Sequence, residues 1–234
     1  MEIYVVQPND TVDSIALSYQ VSAEDLIYIN QLVYPYALAV GQALLIPIGA
    51  EEGGLAVVTN GYAYPFINQS VLESTLPFLT TLSVFSYGFT EQGELIPPLL
   101  NDTWMIELAT QADVSAILTL TPMDDQGRFN NRLINAVVNI EEAKQNLIQN
   151  LLVTLEEKGY RGVDVDFEYI FAEDRDAFTT FVAELTETMN ANGYEVSVAL
   201  APKTSATQRG LLYEGKDYGG LGAAANSVLL MTYE

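Results

Sequence analysis

Apolar residues recur with two different periods along this chain, and the switches between them outline the elements. In the first fifty residues, Tyr4-Val5-Val6 reads as a short strand. Pro8-Asn9-Asp10-Thr11 follows as a turn, with Asp10 or Thr11 placed to cap a helix. Val12, Ile15, Ala16 and Tyr19 then fall at helical spacing. Ser22 opens a second helix, with Asp25 three residues on in capping-box position. Leu44-Leu45-Ile46 ends the segment as a strand stopped by Pro47, so residues 1–50 read strand, helix, helix, strand. Glu51-Glu52-Gly53-Gly54 is a linker to a second domain spanning 51–234. There the pattern alternates. Strands are predicted at 55–62, 81–89, 114–121, 162–168, 196–201 and 227–233, and helices at 70–79, 103–110, 139–159 and 175–190. Strand–helix alternation with apolar strands predicts an α/β domain with a parallel sheet; the pattern leaves open whether it is an open sheet or a closed barrel.

One strand stands apart. In 163–168, Val163, Val165 and Phe167 point to one face and Asp164, Asp166 and Glu168 to the other. Same-face neighbours on a strand are roughly 7 Å apart, so the three carboxyl groups sense one another. A long helical pattern precedes this strand and another follows, which predicts cover on both faces. Crowded like charges in a low-dielectric site do not all ionise, so a proton is retained near neutral pH. A retained carboxyl proton is what a general acid requires. The alternative is an acidic surface strand of an acid-rich chain. A metal site is the poorer reading, because the three ligands would come from one strand at too wide a spacing for a single ion.

The chain has 234 residues, a formal net charge of −22 and 49% hydrophobic residues, which bounds it to one large folded domain and a small one. Histidine and cysteine are absent. That excludes Ser-His-Asp and Cys-His catalysis, the usual zinc sites and disulfides. No cofactor is implied. Carboxyl and phenol groups are left for chemistry, with Lys203 and Lys216 as helpers. No Lys or Arg precedes Arg128, so nucleic acid and acidic membranes are poor partners and an uncharged or zwitterionic glycan fits better. A positive segment leading into an apolar run is not seen, so no signal peptide is expected, nor any membrane span.

Residues Gly162 to Glu168 resemble the signature strand of glycoside hydrolase family 18, D-G-x-D-x-D-x-E, in every position but the first, where Arg161 stands. Together with Tyr160 and Arg161 they resemble the spore-cortex-lytic N-acetylglucosaminidases of that family. Leu200 to Ala206, Tyr213 to Tyr218 and Met231-Thr232-Tyr233-Glu234 resemble further segments of the same enzymes. The resemblance implies a (β/α)8-type barrel, here truncated after about six strands, with two strand edges exposed and a tendency to dimerise or aggregate through them. It implies Glu168 as the acid, Asp166 as the group that orients the substrate's acetamido nitrogen, Asp164 as the carboxyl behind it, and Tyr233 as donor to the acetamido carbonyl. Glu234, Tyr169, Tyr213, Tyr218 and Lys203 are the implied substrate contacts; Tyr62, Tyr64 and Tyr87, near the ends of the first two predicted strands, are weaker candidates. The family's Ser-x-Gly-Gly segment is not seen; Thr119-Leu120-Thr121-Pro122 stands in its place, which speaks against a typical chitinase.

Residues 1–50 resemble a LysM module, carried by Tyr4 to Thr11, Ile15-Ala16, Leu26 with Asn30, and Val40 to Pro47. That resemblance implies a groove for N-acetylglucosamine-containing glycan between the Asn9-Asp10-Thr11 loop and the loop starting at Tyr34. The joint expectation is a peptidoglycan hydrolase at the spore cortex or cell wall, made in the cytoplasm. A chitinase or a non-catalytic glycan-binding coat protein are the alternatives.

Overall fold

A computed structural model describes residues 2–48, 57–124 and 126–233. The chain divides into two compact units, Met1–Val57 and Val58–Glu234. The expected linker and residues 55–56 of the first predicted strand lie outside the described residues, as does Glu234.

The first unit contains β1 (Glu2–Val5), α1 (Val12–Tyr19), α2 (Ala23–Ile29) and β2 (Ala43–Ile46), with β1 antiparallel to β2. Thr11 caps α1: its hydroxyl accepts from the Ser14 amide, and Ser14 Oγ accepts from the Thr11 amide, so the reciprocal capping box forms here. Ser22 caps α2 by accepting from the Glu24 and Asp25 amides. Asn30 fastens α2 to β2. Its Nδ2 donates to the Leu26 and Leu45 carbonyls and its Oδ1 accepts from the Leu45 amide at 2.7 Å. Val6, Ile15, Leu26, Leu44 and Ile46 are buried between these elements.

The second unit runs β3 (Asn60–Ala63), α3 (Gln69–Thr75), β4 (Thr81–Phe89), β5 (Leu95–Ile96), α4 (Thr103–Gln111), β6 (Ser115–Leu120), α5 (Asn131–Asn139), α6 (Glu141–Lys158), β7 (Gly162–Val165), α7 (Arg175–Ala191), β8 (Glu195–Leu200), α8 (Tyr218–Ala224) and β9 (Ser227–Leu230). Six strands pair in parallel in the order β3-β4-β6-β7-β8-β9, and β5 folds back antiparallel on β4. Leu118, Val163, Val165, Val196 and Val198 share one core with Leu147 and Leu151 of α6 and with Phe181 and Leu185 of α7. Gly162 begins β7 because a Cβ there would stand 2.4 Å from the Glu195 carbonyl oxygen on the neighbouring strand.

Several expectations change. Among the described residues the first predicted strand, 55–62, is a strand only over Asn60–Ala63, and the short β5 was not anticipated. The predicted helix 139–159 begins at Glu141, and a separate α5 precedes it, divided from α6 by Ile140 in extended conformation. The predicted helix 70–79 ends at Thr75 and tightens into a 3-10 turn at Leu76–Phe78, which holds Pro77 where no amide is needed. The glycine-rich α8 was not anticipated. Finally, ladder pairing of the acidic strand stops at Val165, not Glu168, and that of the last strand at Leu230, not Tyr233. One further amide continues each: Asp166 donates to the Leu120 carbonyl and Met231 to the Leu200 carbonyl, both at 2.9 Å. Among the described residues no helix is long and apolar enough to cross a membrane.

A candidate active site at the carboxyl ends of the parallel strands

Strand alternation in β7 buries both faces by different means. Phe167 is fully buried on the helix side, with its ring 5.8 Å from Phe181 and 5.7 Å from Phe178 of α7, both stacked on it. Asp164 and Asp166 point to the opposite face and are 1% and 8% exposed, and Glu168 is half-buried. The acid row therefore lies on a covered strand end, where desolvation decides protonation.

Asp164 is held from two neighbouring strands. Tyr62 of β3 donates its hydroxyl to Oδ2 at 2.7 Å, and Ser197 of β8 donates to Oδ1 at 2.6 Å. Ser197 is the in-register partner of Asp164, so parallel pairing alone puts both side chains on one face. Thr119 of β6 flanks Asp164 on the other side in the same layer. Burial raises the pKa of Asp164, and the donors Ser197 and Tyr62 oppose this without cancelling it. The Tyr62 phenol is raised as well, first by burial and then by the charges of Asp164, Asp166 and Tyr233. Tyr62 thus ties Asp164, Asp166 and Tyr233 into one electrostatic neighbourhood, although Tyr233 itself is 69% exposed.

The surrounding loops supply the rest. Glu168 and Tyr169 line a cavity of about 280 Å³ with Pro122, Phe129, Asn130 and Leu211. Tyr169 is half open to solvent and takes a positive φ of 53°, which turns the chain sharply just past Glu168. Tyr213 packs on the small cluster of Ala199, Ala201 and Met231. Tyr218 donates its hydroxyl to the Ala201 carbonyl, and the Lys203 ammonium sits 4.1 Å from the centre of its ring. Lys203 also donates to the Lys216 carbonyl at 3.2 Å. Tyr218 and Lys203 are therefore engaged in holding the loop after β8. A second, apolar cavity of about 400 Å³ opens at the ends of β3 and β4. There Tyr64 stacks on Phe66 at 4.9 Å and meets Phe85 edge-on.

In the first unit, Asp10 turns inward. It accepts from the Tyr4 hydroxyl at 2.6 Å and the Gln7 amide at 2.7 Å, and these bonds hold its pKa below the usual carboxylate value. Thr11 is spent on the α1 cap, Asn9 takes a positive φ of 73°, and Tyr34 is 81% exposed with Tyr36 against its edge.

Sequence reasoning ranked Tyr62 low and passed over Ser197. Tyr62 lies 102 residues from Asp164, and only the sheet order brings them together. Ser197 had a readable signal: it is the one hydroxyl on the alternating run Val196, Ser197, Val198.

A parallel sheet wound with helices, carrying acids at the carboxyl ends of its strands, defines an α/β-barrel type of enzyme, of which this sheet supplies six strands. Residues 109–234 match the model of Glycosyl hydrolases family 18, and residues 4–47 match that of the LysM domain. The chain belongs to glycoside hydrolase family 18 and carries a LysM module ahead of that region. The cortical fragment-lytic enzyme of Bacillus subtilis (strain 168) is 32% identical over 287 residues, covering 100% of this chain and 66% of its own length. That of Bacillus anthracis is 33% identical over 197 residues, covering 82% and 44%. The crystal structure of the Bacillus cereus spore cortex-lytic enzyme SleL superposes with a TM-score of 0.74 at 31% identity, covering 99% of this chain and 53% of that one. The chain thus spans between 44% and 66% of the length of these relatives.

Proposed function

We propose that this chain is the acid-bearing half of a hydrolase that cleaves N-acetylglucosaminyl bonds in spore-cortex peptidoglycan, with its LysM module holding the enzyme on the glycan. The observation that carries this reading is the covered row of Asp164, Asp166 and Glu168, with Asp164 locked by Tyr62 and Ser197. Relatives over nearly the whole chain that are named for cortex lysis support the choice of glycan. So does the anionic surface, which suits a glycan better than a polyanion.

Family 18 departs from the two-carboxylate scheme of most glycosidases: the substrate's own 2-acetamido oxygen attacks the anomeric carbon. In that scheme Glu168, which lines the cavity, delivers its proton to the departing glycosidic oxygen and later takes one from the incoming water, with retention of configuration. Asp166 as carboxylate accepts from the acetamido N–H and stabilises the positive charge that develops on the nitrogen. Asp164, driven toward its neutral form by burial, limits the negative charge crowded behind Asp166. Tyr233 donates to the acetamido oxygen and aims it at the ring. The stacked Tyr64 and Phe66 offer apolar faces to further sugar rings.

The test is Glu168→Gln in the full-length protein that carries this chain, assayed on cortical muropeptides and on chitin oligomers. A loss of about 10²–10⁴-fold is expected on muropeptides, the usual worth of a general acid. Undiminished cleavage removes Glu168 from its role, and wild-type cleavage of chitin without muropeptides moves the substrate to chitin.

A further inference from the structure

Lys216 is fully buried, and among the described residues its Nζ has no hydrogen-bond acceptor. Lysine is almost never buried to this degree without a partner, because its ammonium loses all its hydration. Three contacts fix it in place. A Cβ on the preceding Gly215 would stand 2.4 Å from the Ile170 carbonyl oxygen, so this loop lies directly on the one that carries Glu168 and Tyr169. The Lys216 amide donates to the Tyr213 carbonyl, and its own carbonyl accepts from Lys203. Among the described residues, the charged groups that act on its ammonium are Asp166 and Glu168 from the end of β7, and Lys203 from the end of β8. Asp217, next in the chain, is engaged with Arg175 at 3.3 Å.

Building on the hydrolase reading above, we propose that Lys216 is a positioning residue of the active site: its buried ammonium is the fixed countercharge that keeps Asp166 ionised beside a protonated Glu168. With no acceptor for its hydrogens among the described residues, Lys216 acts by charge rather than through one hydrogen bond. A carboxylate row behind a covered rim has a total negative charge it can hold. One cation set beside it lets the nearer acid ionise while the next keeps its proton. Burial lowers the pKa of Lys216 to about 8, against the pull of Asp166 and Glu168, so the countercharge is present at neutral pH and lost above that value.

The test compares the full-length wild type with Lys216→Met, which keeps an unbranched side chain and removes the charge, and with Lys216→Arg, which returns it. Carboxyl-carbon NMR titrations of Asp166 and Glu168 are expected to move up by about one pH unit or more in the Met variant. The pH profile of muropeptide cleavage should move the same way. The melting temperature should hold or rise, since burial costs the Lys216 ammonium more than the pull of the two acids returns. The Arg variant should return both profiles toward wild type. Unmoved carboxyl titrations, or a rate that falls equally at every pH together with the melting temperature, would overturn the proposal. Should the Met variant fail to fold, the ε-carbon titration of Lys216 in wild type and in Asp166→Asn decides. A lower midpoint in the Asn variant is expected, and an identical one overturns the coupling. None of these titrations needs turnover, so they stand or fall separately from the Glu168→Gln assay.

Discussion

Asp164 receives two short hydrogen bonds and still has a raised pKa, because desolvation outweighs what two neutral hydroxyls return. The sign of the consequence is fixed. A carboxyl whose folded pKa lies above its unfolded value binds more protons when folded, so it contributes stability at low pH and that contribution is lost as pH rises through the interval. Asp164→Asn keeps the shape and removes the ionisation. It is expected to melt above wild type at pH 7 and to converge with it below about pH 3, where the wild-type group is protonated in both states. Melting temperatures across that range check this, and an Asn variant that melts lower at pH 7 than wild type would mean that Asp164 is ionised and stabilising in the fold. The acid row itself was legible at this scale, since a period of two needs only neighbours in sequence. Its two clamps were not equally so. Ser197 follows from register once β7 and β8 are known to be adjacent, and Tyr62 follows only from the curvature that brings β3 to β7.

Among the elements, α4, α6 and the approach to β7 meet at Asp102, which is fully buried at the start of α4. It accepts from Tyr87 at 2.6 Å, from Tyr160 at 2.7 Å and from Lys158, the last residue of α6. Burial works to raise its pKa, but Lys158, Tyr87 and Tyr160 together lower it. Here the sign is the reverse of Asp164: the stability is present above the unfolded carboxylate pKa and lost as pH falls through the folded one. Asp102→Ala leaves a lysine and two buried phenols without their acceptor and is expected to cost about 3–5 kcal/mol, read by urea melts at neutral pH. A cost under about 1 kcal/mol, typical of an exposed pair, would show that solvent already reaches the cluster. Sequence periodicity found α6 because Leu147, Leu151 and Leu155 repeat over many turns. It missed α5, whose stripe of Leu133, Ile134, Val137 and Val138 is short and rich in β-branched residues that read equally as a strand. It missed α8 because Gly219, Gly220 and Gly222 carry no stripe; packing against the core, where Leu221 is fully buried, holds that helix.

Over the whole molecule, the two units have separate cores, and the family models fall one on each. Division of labour is the expected outcome: removing residues 1–57 should leave cleavage of soluble muropeptides unchanged and weaken retention on insoluble cortex, because tethering acts through effective concentration alone. Co-sedimentation with cortex and a soluble-substrate assay measure the two effects separately, and an equal loss in both would place the LysM module in the reaction itself. The formal charge of −22 belongs to this scale as well, setting which polymers the surface can approach without touching the fold.

What the sequence determined by itself was local: the alternation of strands and helices, the acids sharing one strand face, a helix cap at Asp10 or Thr11, the absence of histidine and cysteine that leaves carboxyl chemistry. Each depends on residues a few positions apart, where backbone period and side-chain type suffice. Only the tertiary structure decided which groups meet those acids. Tyr62 and Ser197 reach Asp164 from two other strands, placed by strand order and by register, and the charge of Lys216 acts on Asp166 and Glu168 from a loop that a glycine presses against the Ile170 carbonyl. Desolvation, which decides who keeps the proton, is a property of everything packed around a group, and no stretch of sequence carries it alone.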